Sequence, residues 1–598
     1  MKNNVPIKYI ARDFDSIKQE MIEYAKKYYP DNYKDFSEAS FGSLMTDLVA
    51  YAGDILSFYI DYQANESFLL NSIEKKNVLL NARALGYKGV TSASSTGFAQ
   101  LYIKIPVDAV SDGPYTACIP ILRQGCNIYS GNGISFLLAE DVNFNDDNTL
   151  ISAGELSDTG ELLNYILKKD AKIVSGTLET YSEEIGEYEK FLKVEIDDEN
   201  LVEVLSVIDS EGNQYYEVDN LAQTTIQEII PNLDPSTSVL APYKMITKPL
   251  LRKFTVEKNF DRNTFYLQFG SGKKLDIMSG EISDPSSVVI NEYGKNYIPD
   301  AKVDPSRLLT SDSFGIAPTN TTLTIRYRSN NAKDVNIRAG ALIGINGAIF
   351  DFINGGTPTI AQKNSVSQSI EVDNEEPIIG DILDPDIDEL KIRSLNYFAT
   401  QQRAVTLNDY QAICYAMPSK FGSIKRVNVV QDPNSFKRNL NLYVISQDQD
   451  NNLINSNIII KNNLKNWLQK YKMLNDTIDI LDAKIININL SFGIVSSNMK
   501  NKYDVLQRCL EVVQNFFKVK MNIGQTFDLA SVYSLLNRVD GVVDTTKVKL
   551  EVNNSTGYSQ ISFNLDEYIT PDNKSIIIPQ DYILEIKNIS TDIKGSVL

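Results

Sequence analysis

Apolar residues recur at helical spacing in the first part of the chain. Ile17, Met21, Tyr24, Ala25 and Tyr28 fall three and four apart, marking one face of a helix. Ser16 followed by Gln19 reads as its capping box, and Pro30 as its end. A long apolar run follows, "FGSLMTDLVAYAGDILSFYIDYQANESFL", from Phe41 to Leu69, with Ser43 as the expected N-cap. Ser72 is expected to start a third helix through Val78, Leu79, Ala82 and Leu85, stopped by Gly86. At about 100° per residue, the side chains from Leu44 to Ile60 spread apolar cover over about 200° of the long helix. A helix lying on one domain surface needs a stripe only about 100° wide. The remaining arc carries Asp47, Asp54 and Asp61 as a single acidic ridge. Two readings stay open: the helix is buried among its own neighbours, or a second chain covers part of the apolar arc. The ridge is likewise either a solvated face or an edge that docks a basic partner.

From about Ser92 to Asp373 the helical signal fades. "FAQLYIKIPV", "KFLKVEID", "NTFYLQFG", "TLTIRYRS" and "GALIGINGAIFDFI" read as strands separated by Gly, Asn and Asp clusters. Carboxylates dominate between Glu140 and Asp219, where an inserted, solvated β-rich subdomain is expected. The loop "DNEEPIIGDILDPDIDE" then gives way to helical spacing at Ile387, Leu390, Ile392, Leu395, Phe398 and Ala399. The last third alternates strands and helices. "KIININLSFGIV" alternates strictly at Ile486, Ile488, Leu490, Phe492 and Ile494, and Asp528 is placed to cap "LASVYSLLNRV". The expected fold class is α+β multidomain, with an N-terminal helical bundle segment, β-rich middle domains and small α/β sandwich-like C-terminal domains. The expected domains are 1–90 (helical, assembly), 91–250 (β-rich, with an insertion over 140–242), 251–380 (β-rich, central), 381–475 (α+β) and 476–598 (α/β, closing on a terminal hairpin and making ring or dimer contacts).

Composition narrows the function. A chain of 598 residues is too long for one core. Its net charge of −19 argues against broad electrostatic binding to nucleic acid or anionic membranes. The chain has no His, which removes imidazole bases, His-based triads and His-ligated zinc in one stroke. The four Cys are not arranged in Cys-x-x-Cys pairs and are expected to be buried free thiols, with a Cys118–Cys126 bridge as the alternative. The 32 Tyr suit both half-buried sheet faces and protein interfaces. The N-terminal stretch lacks a signal-cleavage pattern, and no run reaches the ~20 apolar residues of a membrane span. The chain is therefore expected to start life in a cytoplasm.

Most motif-like stretches dissolve on inspection. "GSGKK" at Gly270–Lys274 lacks the earlier Gly and the following Ser or Thr of a phosphate loop, and reads as a β-turn. "DVNFNDDN" and "DPDIDE" lack the Gly and distal Glu of a calcium loop. "QQRAVTLNDYQAICYAM" says more. Thr406 can cap a helix starting at Leu407, with Asp409 as capping-box partner. Arg403 is expected to oppose the negative end of the preceding helix, and Tyr410 and Ile413 to face a core. The stretch reads as a helix–short turn–helix corner without catalytic chemistry.

With "FGSIKRVNVV" after it, "TQQRAVTLNDYQAI" resembles the hallmark of the baseplate J-like family, and within it the larger member that forms the wedge ring in the baseplate of contractile-tailed phages. The long helix, "ARALGY", "RNTFYLQFGSG" and "NIGQTFDLASVYSLLNRVDGVVD" resemble further stretches of that family in the same order. The region from Glu140 to Pro242 does not match. The resemblance implies a non-enzymatic virion protein of the tail baseplate, assembled in a host cytoplasm, without cofactor, metal or small-molecule substrate. It implies self-association as a homodimer, and contacts with other wedge proteins, neighbouring wedges and the sheath-initiating protein, in a ring whose rearrangement releases sheath contraction. Leu44, Leu48, Tyr51, Ile55, Tyr59 and Phe68 are the expected interface residues of a helical core bundle. Gln402, Arg403, Thr406, Asp409 and Tyr410 are the family-motif corner. The equivalent protein of a non-phage contractile injection system fits the same residues. A tail-associated glycan hydrolase working through paired carboxylates has no signature here.

Overall fold

The computed structural model describes residues 12–597 except 30–39, 89–92, 109–112, 147, 158–161, 224, 232–242, 261, 273–313, 353–357, 383–384, 434, 436–438, 498–500 and 573. The expected stop at Pro30 and the Lys273–Lys274 end of the "GSGKK" turn lie outside the described residues. The described α-helices, in chain order, are α1 (Phe14–Tyr28), α2 (Phe41–Glu66), α3 (Lys75–Ala84), α4 (Ile360–Gln368), α5 (Ile387–Thr400), α6 (Leu407–Tyr415), α7 (Ile458–Leu468), α8 (Lys502–Phe517) and α9 (Leu529–Asn537). The protein is α+β and multidomain. It forms two compact units, Met1–Gly89 with Asp384–Arg403, and Val90–Leu383 with Ala404–Leu598.

The second unit is built on sheets. One seven-stranded sheet draws its strands from 96–175 and again from 342–373. Thr96–Pro106 pairs along its whole length with Asn164–Ser175, and Leu101, Ile103, Ile128, Phe136 and Ile173 fill the core on it. A second seven-stranded sheet takes all its strands from 177–329 and has its own core around Phe254, Phe265, Phe269, Leu323 and Ile325. It is nested in the sequence of the first sheet. The ranges 91–250 and 251–380 therefore share both sheets, and the acid-rich stretch 140–242 runs from one sheet into the other.

Where these sheets meet, the buried Arg328 donates Nη1 to Ser94 Oγ at 2.9 Å and to the Ser175 carbonyl, and Nε to Glu203 Oε1 at 2.9 Å. Asn330 and Asn336 extend this polar junction to the Ala93 carbonyl at 2.7 Å and the Asp381 carbonyl at 2.7 Å. Charge and amide groups buried this way persist because each is hydrogen-bonded.

Two smaller α/β modules follow. In the first, α6 and α7 pack on strands from 426–482 through Ile413, Leu442, Ile460 and Leu464. In the second, the strand Lys484–Ser496 is central, and its alternating Ile486, Ile488, Leu490, Phe492 and Ile494 are all buried under α8 and α9. Tyr582–Glu585 and Ile593–Val597 both run parallel to this strand, and within the expected terminal hairpin a single antiparallel bridge joins Ile569 and Ile576. Parallel neighbours need crossovers, which local turn signals do not announce. All four cysteines are free and buried.

In the first unit, three helix starts differ from the sequence reading. Asp13 caps α1, accepting from the Ser16 N–H at 3.4 Å. Its carboxylate also complements the positive helix end, so Ser16 falls inside. Ser40 caps α2, accepting from the Ser43 N–H at 3.1 Å. α3 begins at Lys75 with Glu74 as N-cap, because the residues from Ser72 are drawn into an elbow held by Glu66. That carboxylate is only 4% exposed. Its Oε1 accepts the Ile73 N–H at 2.8 Å, and its Oε2 accepts Asn77 Nδ2 at 2.8 Å. Against α3 lies α5, with Tyr87 and Tyr397 edge to face at 5.9 Å.

The Ile73 N–H, followed by the Asn77 amide, holds the Glu66 carboxyl below its ordinary value of 4.5. A depressed carboxyl pKa contributes stability that is present above the unfolded value and lost as pH falls through the folded value. Thermal unfolding followed from pH 7 down through this acid window should show the first unit weakening. In Glu66→Gln this acid limb should flatten, with a lower melting temperature at neutral pH.

Candidate assembly surface

α2 has 26 residues and is about 39 Å long at ~1.5 Å per residue. Its buried positions are Ser43, Ala50 and Glu66, and Thr46, Asp47, Gly53, Asp54 and Ser57 are half-buried. The covered side of this helix is thus its small and acidic side. α1 lies along it. Lys18 Nζ reaches Asp47 Oδ1 at 2.6 Å, and Arg12 Nη1 reaches Asp61 Oδ1 at 3.1 Å. At Gly53 a Cβ would sit 3.2 Å from Ile17 Cδ1, so the missing side chain lets the two helices approach. Of the acidic ridge, read from the sequence as a solvated or partner-facing edge, Asp47 and Asp61 meet basic residues and Asp61 stays exposed. The basic partner is on the same chain.

The greasy side is left uncovered. Phe41, Leu44, Leu48, Tyr51, Ile55 and Phe58 step by three and four along one row, and Met45, Val49, Leu56 and Tyr59, with Ala52 between Val49 and Leu56, form a second. The ten large side chains are exposed: Leu48 by 61% and Phe58 by 65%. Each row has the spacing of a coiled-coil seam, and neither carries a charge. Every expected interface residue lies on this surface or just past it: Leu44, Leu48, Tyr51, Ile55 and Tyr59 on α2, and Phe68 in the turn that follows. Full burial is worth about 1.5–3 kcal/mol for each large apolar side chain, so leaving ten in water forgoes a substantial stabilisation.

Sequence reasoning missed a companion patch. Ile392, Leu395 and Phe398 on α5 are exposed, while Leu390, Arg393 and Ser394 are buried. The signal was the same as on α2: a helix whose covered side is its less apolar one. On α1, likewise, Tyr24 and Tyr28 are exposed, with their rings 4.7 Å apart.

The motif residues are placed separately. α5 ends in two consecutive left-handed residues, Gln401 at φ 50° and Gln402 at φ 58°, a region disfavoured for side chains with a Cβ. Arg403 is exposed and lies beyond the last turn of α5, which holds no basic residue. The dipole role expected of it therefore falls away, since that effect fades outside the last turn. Thr406 Oγ1 accepts the Asp409 N–H at 3.2 Å, and Asp409 Oδ2 accepts the Thr406 N–H at 2.8 Å, closing a capping box on α6. Tyr410 is buried and donates its hydroxyl to Asp476 Oδ2 at 2.8 Å. A cavity of about 190 Å³ opens beside it, lined by Val405, Thr406, Leu407, Gln431 and Leu440. Among the described residues, no group of three or more Cys, Asp or Glu is placed to hold a metal ion.

Residues 13–84, which carry α1, α2 and α3, match the family described as bacteriophage baseplate protein, N-terminal domain. That match supports a baseplate protein. No curated protein matches the chain. Among solved structures, a chain of the anti-feeding prophage (AFP) baseplate, determined by cryo-EM with 6-fold symmetrisation, is 11% identical, with 97% of this chain and 99% of that one covered at a TM-score of 0.25. A chain of the type VI secretion system TssK-TssF-TssG baseplate subcomplex, also determined by cryo-EM, is 8% identical, with 73% of this chain and 95% of that one covered at a TM-score of 0.24.

Two substitutions test the local geometry. Gly53→Leu should drive α1 off α2, seen as faster amide exchange along Phe14–Tyr28 with the second unit unchanged. Thr406→Ala should lower the unfolding free energy by about 1 kcal/mol through loss of the cap, measured by chemical denaturation.

Proposed function

We propose that this chain is a structural component of a contractile-tail baseplate wedge. It associates with a second copy of itself and with other wedge proteins, joins the ring around the central hub, and relays the rearrangement that triggers sheath contraction. One observation carries the reading: α2 spends its small and acidic side on α1 and leaves two adjacent apolar rows uncovered. A helix with two such rows has room for two further helices, the arrangement of a multi-helix bundle. Uncovered apolar surface on this scale marks a protein contact. The match of residues 13–84 to a bacteriophage baseplate protein's N-terminal domain supports placing that contact in a baseplate. Leu44, Leu48, Tyr51, Ile55, Tyr59 and Phe68 are its contact residues. The motif corner, with Gln402, Arg403, Thr406, Asp409 and Tyr410, serves the fold, and catalysis has no part in the role.

Replacing Leu48, Ile55 and Tyr59 together with Asp puts charge into both rows. The triple variant should keep the thermal transition of the second unit and lose co-purification with tagged copies of itself and with its wedge partners. Unimpaired co-purification would refute the assembly role of α2.

A further inference from the structure

An Asn followed by Gly is a chemically labile pair. The Gly nitrogen can reach the carbonyl carbon of the Asn side chain, and without a Cβ the Gly puts nothing in the way. This reaction is one reason Asn counts among the thermolabile residues. The chain holds three such pairs, Asn132–Gly133, Asn346–Gly347 and Asn354–Gly355; the third lies outside the described residues.

The other two form a natural comparison. Both Asn are exposed, and both Gly are left-handed, at φ 79° for Gly133 and 69° for Gly347. A Cβ added at either Gly would meet nothing within 4 Å. The difference lies in the N–H that must react. In the first turn the Gly133 N–H donates to the Ser130 carbonyl at 3.0 Å, and the Ser130 N–H to the Ile134 carbonyl at 2.9 Å. The Ile134 N–H closes the same turn on Ser130 Oγ at 3.2 Å. In the second, the Gly347 N–H has no hydrogen-bond partner among the described residues. A nitrogen held in a hydrogen-bonded turn must first give up that bond, and a free one need not.

We propose that Asn346–Gly347 is a self-modification site, while Asn132–Gly133 is held back by its turn. The Gly347 nitrogen loses its proton and bonds to Asn346 Cγ. The Cγ–Nδ2 bond breaks, and the amide nitrogen takes up a proton and leaves as ammonia. Water then opens the resulting succinimide ring at one of its two carbonyls, giving aspartate or isoaspartate. Overall, one water enters and one ammonia leaves, with no change of oxidation state. The position makes extra backbone consequential. Asn346 pairs with Asn127 at the end of a strand, and after Gly347, Ala348 and Ile349 the chain pairs again, Phe350 with Leu122. Isoaspartate runs the backbone through the former side chain and lengthens this short link by one methylene. Either product also adds a negative charge to a turn flanked in sequence by the exposed Ile343 and Ile349. This chemistry is confined to the first sheet and is independent of what α2 binds.

The full-length protein, incubated at mildly alkaline pH, reports the reaction through peptide mass spectrometry of each side-chain amide. Fragment ions separate Asn346 from Asn354, and isoaspartate from aspartate. In the folded chain, Asn346 should convert several-fold faster than Asn132. In the urea-denatured chain that lead should vanish or invert, because no turn then protects Asn132 and the β-branched Ile345 crowds Asn346. Asn346→Gln should remove the signal at that site and leave conversion of Asn132 unchanged. No conversion of Asn346 in the folded chain, conversion of Asn132 at an equal or higher rate, or a lead that denaturation leaves undiminished would each overturn the proposal.

Discussion

The close approach of α1 to α2 across Gly53, flanked by the Lys18–Asp47 and Arg12–Asp61 ion pairs, decides how the N-terminal unit presents itself. A helix usually buries its apolar stripe and shows its polar side to water. In α2 the assignment is reversed: Ser43, Ala50 and Glu66 are buried and Asp47, Gly53, Asp54 and Ser57 half-buried, while the Leu and Phe side chains, with Tyr51 and Tyr59, remain outside. Exposed ion pairs contribute little by themselves. Their value here is positional, since they hold α1 on a side of α2 where it covers almost none of the apolar arc. The non-proline apolar side chains buried among the described residues of this unit are Ala50, Val78, Ala82, Tyr87 and Leu390. That is a small core for helices carrying so many large apolar groups.

The second unit follows the opposite logic. Its sheets and helices enclose cores rich in Ile, Leu, Val and Phe, and its two large sheets are joined at the Arg328 junction by hydrogen bonds. A buried guanidinium with a carboxylate and carbonyl partners is costly to desolvate and costly to disturb once formed. Such a junction specifies one arrangement of the strands around it. The second unit thus encloses extensive apolar cores, while the first leaves the two apolar rows of α2 exposed.

Much of this was legible in the sequence, for identifiable reasons. The alternation from Ile486 to Ile494 gave a strand with one buried row, and Thr406 with Asp409 gave a capping box, because both signals are local. The width of the apolar arc on α2 was legible too. Its orientation was not, because apolar residues alone do not say which side a neighbour takes. A better clue was the stripe of Ser43, Ala50, Gly53 and Ser57 beside the aspartates, with Arg12 and Lys18 upstream to meet them. The N-caps at Asp13 and Ser40 were misplaced because several capping residues crowd each start, and only packing selects among them. The nesting of the second sheet within the first depends on pairings such as Leu201 with Ser329, which no local pattern encodes.

The neutralised aspartates also have a kinetic meaning. With Asp47 and Asp61 spent on α1, the two apolar rows of α2 carry no charge with which to draw a partner from a distance. Encounters without electrostatic steering proceed at only about 10⁵–10⁶ M⁻¹s⁻¹. If α2 makes the contact proposed above, the speed of finding a partner is set by how many copies are made nearby and how soon. Until then, the same rows are open to adhesion by the wrong one.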